Sequence, residues 1–307
     1  MPGAPVIKTL RPGDSSKPDP YTIVIVANPA LEKGEDSDKF EADPITKQQS
    51  EFDDCASYIN RCLFGELEGQ RERFLSNPSV RDRIKVVSLF VTGLRSTSDN
   101  SLITRDHGLL IARRNNFVQF LSRYSLSADV AFAISASKHH KGASAWATTD
   151  DASRSGVEFT LDGRRYFHRH HCRIPGTVAM HAESDSLTAA HEFGHASSSY
   201  SDGYLSDIYV DLHDEDVHKP VINKRWGRPI PDQFCTYDDS SYRSDQKRDG
   251  LGYPAAWKSY HCELSDPELP AIMDNYTAAA DERADECQHD RITRQFLLDR
   301  IRAKCAR

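Results

Sequence analysis

Apolar residues along the chain fall into short, bounded runs, and their spacing switches between two periods. Y-T-I-V-I-V-A (21–27) is rich in β-branched residues and predicts a buried strand. In F-D-D-C-A-S-Y-I-N-R-C-L-F, residues Phe52, Cys55, Ile59, Cys62 and Leu63 recur at helical spacing. I-K-V-V-S-L-F-V (84–91) predicts a second buried strand. Phe117, Phe120, Leu121 and Tyr124 share one helical face, so N-N-F-V-Q-F-L-S-R-Y predicts a helix. D-V-A-F-A-I-S (129–135) predicts a third strand. This alternation is the pattern of a sheet with crossover helices.

After residue 140 the pattern changes. A-S-A-W-A-T-T-D (143–150) is a short, more polar strand whose composition suits a sheet edge. G-V-E-F-T-L-D-G-R-R-Y-F-H-R-H-H predicts a hairpin turning at Asp162-Gly163, a pair that tolerates the positive φ of a tight turn. G-T-V-A-M-H-A (176–182) predicts a strand that runs straight into a helix carrying H-E-F-G-H. From about 202 to 271 the chain is rich in Asp, Pro, Gly and Tyr and reads as a long irregular segment. The end is helical again over A-D-E-R-A-D-E-C-Q-H-D-R-I-T-R-Q-F-L-L-D-R-I (280–301), with Ile292–Phe296 and Leu297–Ile301 four residues apart. Residues 1–20 hold five prolines and predict a flexible lead-in of polyproline character. The expected architecture is α/β, with a mixed, partly parallel sheet, crossover helices, and an irregular and helical C-terminal lobe. Residues 21–307 are expected to form one domain, with lobes at 21–200 and 201–307.

Composition narrows the function classes. Hydrophobic content of 38% with 28% charged residues describes a globular chain, and the net charge of -7 comes without a dense basic stripe. A nucleic-acid partner is therefore not expected. No apolar run approaches the roughly 20 residues that span a bilayer, so no membrane association is expected. No secretory h-region is visible, which predicts a cytoplasmic protein unless a leader was removed before this numbering begins. The seven cysteines are an odd set without C-x-x-C spacing. Cys55 and Cys62 would sit ~10 Å apart along a helix, too far for a disulfide, so buried free thiols are expected.

The chemistry concentrates in S-L-T-A-A-H-E-F-G-H-A-S-S-S-Y-S-D-G-Y (186–204). Residues four apart on a helix lie one turn above each other, so His191 and His195 present two imidazoles toward one point. Neutral imidazole nitrogens bind zinc at ~2.0–2.1 Å. Glu192, beside the first histidine, can reach a water on the metal and accept the proton that the metal makes acidic. Ser184, Asp185 and Ser186 are N-cap candidates for this helix. Leu187, Ala190 and Gly194 are apolar or small, which lets the helix pack on the sheet while the histidines face a cleft. A catalytic zinc site needs a third protein ligand and an open position. Downstream candidates are Asp202, Asp207, Asp211 and His213. The strict metzincin spacing fails, because Ser198 and Ser201 stand where its Gly and third ligand should be.

H-E-F-G-H-A-S-S-S-Y-S-D-G-Y resembles the H-E-x-G-H-x-x-x-x-L-x-D-E-Y segment of the bacterial IgA-peptidase-like zinc peptidases, within the wider zincin group. Asp202 matches the family aspartate and Tyr204 its tyrosine, while Tyr200 replaces Leu and Gly203 replaces Glu. P-A-I-M-D-N-Y (270–276) resembles the methionine-containing turn beneath the metal in metzincin-like folds. The resemblance covers about a third of the chain, and the paired cysteines of that family's C-terminal end have only Cys287 near their place. It implies a zincin-like catalytic domain, an active-site helix bearing both histidines, and a C-terminal subdomain across a cleft. It implies Asp202 as third ligand, with Asp207 the alternative. If the helix continued straight, Asp202 would lie ~10 Å beyond His195, so the chain must unwind after about Tyr200. Met273 would form a floor under the metal, and Tyr276 would donate a hydrogen bond to the tetrahedral oxyanion, a role for which Tyr204, His213 and His218 compete.

The expected activity is zinc-dependent hydrolysis of peptide bonds in a peptide or protein substrate, with Glu192 as general base. Two other classes fit the same residues: a zinc-stabilised binding module or pseudo-enzyme, and a zinc hydrolase of non-peptide amides. His139, His140, His168, His170 and His171 form a second histidine-rich zone. Strand alternation splits its last three members between two faces, which suits a solvated hairpin. Serine-rich stretches lack the G-x-S-x-G of a nucleophile elbow.

Overall fold

The computed structural model of the chain describes residues 3–16, 19–34, 37–70, 73–106, 108–138, 140–146, 148–149, 157–161, 164–168, 175–197, 199–201, 204–208, 235–238, 256–261, 272–273, 288–289 and 291–305. In chain order the first elements are β1 (Val6–Arg11), β2 (Tyr21–Ala27), the short pair β3 (Ala30–Glu32) and β4 (Phe40–Ala42), and helix α1 (Gln49–Phe64). Next come β5 (Ile84–Phe90), the hairpin β6 (Ile103–Asp106) and β7 (Leu109–Ala112), α2 (Arg114–Arg123) and β8 (Val130–Ser135). Then follow β9 (Ser144–Trp146), β10 (Thr148–Thr149), the hairpin β11 (Val157–Leu161) and β12 (Arg164–His168), β13 (Gly176–His181) and α3 (Ser186–Ser197). The last are β14 (Ser199–Ser201), β15 (Tyr204–Ile208), β16 (Cys235–Asp238), β17 (Ala256–His261) and α4 (Arg291–Cys305).

The main sheet has six strands in the order β1-β5-β2-β8-β13-β9. Its four inner strands are parallel, and β1 and β9 pair antiparallel at the two edges. The fold is therefore α/β with a mixed, partly parallel sheet. Parallel strands covered on both faces need side chains that are apolar in both directions, which is why the β2 and β8 sequences read as unbroken apolar runs. Successive residues diverge accordingly. Ile23, Ile25, Phe132 and Ile134 join α1, α3 and α4 in one core, while Val24, Val26, Ala131 and Ala133 join α2 and the β6–β7 hairpin in the other. The helix bearing H-E-F-G-H thus lies on the same face as α1.

The carboxyl ends of β2 and β8 are tied together by one buried acid. Asp43 accepts from Ser135 Oγ at 2.5 Å, the Ala136 N–H at 3.0 Å, Asn28 Nδ2 at 2.9 Å and the Ile45 N–H at 3.1 Å. Burial pushes its carboxyl above the usual range, and these four donors oppose that shift.

Three sequence expectations change here. Residues 6–11 are not a flexible lead-in: V-I-K-T-L-R forms β1 along β5, with Val6 opposite Phe90. The prolines at 5 and 12 flank this run without interrupting it, and an edge strand needs N–H groups on one side only. The stretch from 202 to 271 contains β15, β16 and β17, part of a second sheet ordered β10-β14-β15-β17-β16; the rest of that stretch lies outside the described residues. The last helix begins at Arg291, because Ile272 N–H bonds the Gln288 carbonyl at 2.8 Å and so pairs residue 288 with a distant segment. Cys55, Cys62 and Cys305 are buried free thiols. Among the described residues no helix is long and apolar enough to cross a membrane.

Candidate metal centre

Strand β13 is buried along its whole length and delivers the chain to α3 through a tight turn. Of the three N-cap candidates, Asp185 serves: its Oδ1 accepts from the Thr188 N–H at 2.7 Å. Leu187, Ala189, Ala190, Phe193 and Ala196 bury the inner side of the helix. That leaves His191 and His195 on the more open side, one turn apart, with Glu192 turned roughly 100° away and only 7% exposed. The helix ends at Ser197, a turn earlier than expected, and β14 begins at Ser199. Ser201 lies opposite Tyr204, and β14 and β15 pair antiparallel.

The two rings converge. His195 Nε2 stands 3.0 Å from His191 Nε2, with ring centroids 4.6 Å apart and planes at 81°. His191 Nδ1 lies 2.8 Å from the Ile272 carbonyl oxygen. A carbonyl only accepts, so Nδ1 carries the proton. Burial, then the neighbouring His195, pushes the His191 pKa down to about 3, against the pull of the Ile272 carbonyl. A neutral ring protonated on Nδ1 presents a lone pair at Nε2, and that lone pair faces the second ring. Two nitrogens at 2.0–2.1 Å from a tetrahedral ion are about 3.3 Å apart, so the observed pair fits a divalent metal with a few tenths of an ångström of adjustment.

A second layer braces the helix from behind. A Cβ on Gly194 would stand 2.5 Å from Met273 Sδ and 3.2 Å from His289 Nε2. The helix approaches the Ile272–Met273 segment this closely only because residue 194 has no side chain. His289 bonds the Ala190 carbonyl, and its ring meets Phe74 edge-on at 5.0 Å. Burial first, then the Arg73 charge and electrostatic coupling to the His191 ring, push its pKa down to about 3, although the Ala190 carbonyl pulls the other way.

This depressed value has a measurable consequence. Folded His289 stays neutral down to about pH 3, whereas in the unfolded chain it takes a proton near pH 6.5. Between those limits the unfolded state binds the extra proton, so stability falls as pH falls, by about 1.4 kcal/mol per pH unit for this group. Urea unfolding of chelator-treated protein from about pH 4 to pH 6 should show this slope, and His289→Phe should lack that share of it. An unchanged slope in the variant would place the acid sensitivity elsewhere.

The remaining predicted site residues are less completely defined. Asp207 lies in β15, opposite Ser259 of β17. Asp202 and Tyr276 lie outside the described residues, as do Asp211, His213 and His218. Of the second histidine-rich zone only His140 and His168 are described, the latter in β12. Among the described residues no group of three or more His, Cys, Asp or Glu is arranged to hold a metal. Three contributors escaped sequence reasoning. The Ile272 carbonyl is a backbone atom without a sequence signal, and His289 and Arg73 resemble any other polar residue in their neighbourhoods. Comparison with family models, with curated proteins and with solved structures finds no match to this chain.

Proposed function

We propose that this protein is a zinc-dependent metallopeptidase of the zincin type, similar in its motif to the bacterial IgA-peptidase-like enzymes. One observation carries the reading: two imidazole Nε2 atoms on one helical turn face each other at 3.0 Å, one of them with its lone pair fixed by the Ile272 carbonyl. Orientation of a ligating histidine through its other nitrogen is the usual outer support of a metal site. His191 and His195 would hold the ion. Zinc in such a site supplies Lewis-acid polarisation of a carbonyl and acidifies water.

The chain's own residues supply the proton chemistry. Glu192 accepts a proton from the attacking water and returns it to the leaving amine as the C–N bond breaks. Its buried position shields that carboxylate from bulk solvent, where proton transfer would be less directed. Among the described residues strand β9 is the last strand of the main sheet, antiparallel to β13, with α3 packed close by. An extended peptide adds to such an edge by main-chain hydrogen bonds, which favours a peptide or protein substrate over a small amide. Tyr276 would donate to the oxyanion.

The third ligand is assigned by difference. Asp202→Ala is expected to lose most of its zinc by elemental analysis, and Asp207→Ala to keep it. The reverse pattern makes Asp207 the ligand, and full zinc in both variants removes both. The activity itself is tested with a peptide library, using zinc-loaded protein, chelated protein, and chelated protein with zinc restored. Cleavage should follow the metal; zinc retention without any cleavage would sink the enzymatic reading and favour a zinc-stabilised module.

A further inference from the structure

The chain leaves β2 and β5 toward opposite faces of the main sheet. From β2 it passes through α1 to β5, and from β5 it passes through α2 to β8 on the other side of β2. Helix α1 packs with Ile23 and Ile25, and α2 with Val24 and Val26. Such a reversal opens a crevice outside the carboxyl ends of the strands, which is where open α/β sheets bind ligands. A cleft of about 980 Å³ lies there, walled by α1, by Ala136–Lys138 after β8 and by His181–Glu183 after β13.

The floor of the cleft is held in place before any ligand arrives. His181 Nε2 donates to the Ser137 carbonyl at 2.9 Å, and its Nδ1 accepts from the Glu183 N–H at 3.1 Å. The ring is therefore neutral and joins two loops. The Ala136 N–H is fixed on Asp43. A floor preformed in this way lowers the ordering cost of binding.

The lining carries three cations, Arg61, Lys138 and Lys141, and three anions, Glu51, Asp54 and Glu183. Lys141 and Glu183 pair with each other at 2.6 Å. Of the rest, all but Lys138 are set out along α1, where Glu51, Asp54, Tyr58 and Arg61 fall within about 80° around the helix. Asp54 and Arg61 stand ~10 Å apart along its axis. A polyanion would meet the acids of this wall, and a polycation its arginine. A ligand with opposite charges at its two ends suits both. An extended peptide spans ~3.3–3.6 Å per residue, so three residues with free ends carry an ammonium and a carboxylate ~10 Å apart.

We propose that this cleft binds an unblocked peptide of about three residues, its ammonium at Glu51 and Asp54, its carboxylate at Arg61 and its backbone across Tyr58. His191 and His195 lie ~8 and ~14 Å along α3 from its first residue, Ser186. The site is thus separate from the histidine pair and stands whether or not that pair holds a metal.

Isothermal titration calorimetry of the chelator-treated full chain tests this with tri-alanine, its C-terminal amide, its N-acetyl derivative and ATP. Tri-alanine should bind at one site with a Kd below about 1 mM. Each blocked form should bind about tenfold more weakly, since a charge-assisted hydrogen bond is lost, and ATP should not displace tri-alanine. Glu51, Asp54 and Arg61 are exposed, so their variants should fold. Arg61→Gln should weaken tri-alanine by about tenfold and leave the amide unchanged. Glu51→Gln combined with Asp54→Asn should do the same to tri-alanine and leave the acetylated form unchanged. The proposal is overturned if tri-alanine does not saturate the protein by about 10 mM, if ATP displaces it, or if Arg61→Gln weakens the acid and the amide alike.

Discussion

Glu192→Gln should retain zinc and lose peptide hydrolysis, with kcat down by about 10²–10⁴-fold. Glutamine has nearly the same shape and volume, so the buried position, 7% exposed, tolerates it without a cavity. What it lacks is the ability to take a proton from water and hand it on. The residue is set roughly 100° around α3 from His191, so it does not share the helical face from which the two Nε2 atoms meet, and its proposed role is the base beside the ion rather than a third ligand. Metal content should therefore stay unchanged, and elemental analysis beside initial-rate kinetics separates the two effects. Activity within a factor of a few of the unsubstituted protein would remove Glu192 as general base while leaving the histidine pair untouched. Loss of zinc together with activity would instead make Glu192 a ligand.

Gly194→Ala is the second large effect, and here the damage is to the frame. The new methyl would sit 2.5 Å from Met273 Sδ and 3.2 Å from both Met273 Cε and His289 Nε2. Met273 must move, and Ile272, whose carbonyl orients His191, is its neighbour in the chain. Overpacking of this kind costs about 1–3 kcal/mol of stability. Displacing the group that orients a ligand costs about 10–100-fold in metal affinity. Urea unfolding and competitive zinc titration read the two losses separately. Met273→Ala alone leaves a cavity, but in the Gly194→Ala background the added methyl occupies part of it. The double variant should therefore recover at least about 1 kcal/mol relative to the sum of the single changes. Strict additivity would mean that Met273 and Gly194 do not press on each other in solution.

Much of the frame was legible from local pattern. The runs at 21–27, 84–91, 129–135 and 176–182 became β2, β5, β8 and β13 because strands covered on both faces are apolar at nearly every position. The polar stretch at 143–150 contributed the edge strand β9 for the complementary reason. Residue 1–20 composition misled, since five prolines in a window conceal the six uninterrupted residues of β1 between two of them. The long Asp- and Gly-rich stretch misled in the same way, hiding strands of four to six residues, of which β15 and β17 pair across some 52 positions, with Tyr204 opposite Ala256.

By itself, then, the sequence determined the parallel core strands, the α3 helix and the placement of His191 and His195 on one turn. Each of these follows from residues only a few positions apart, where backbone geometry leaves little choice. Only the tertiary structure decided that the Ile272 carbonyl orients His191, that Met273 rests against the bare backbone of Gly194, and that Arg73 lies buried beside His289. Those contacts join segments about 80 residues apart or more. Their approach depends on how whole elements pack, and no local spacing encodes which backbone atom or buried charge will be brought to the helix.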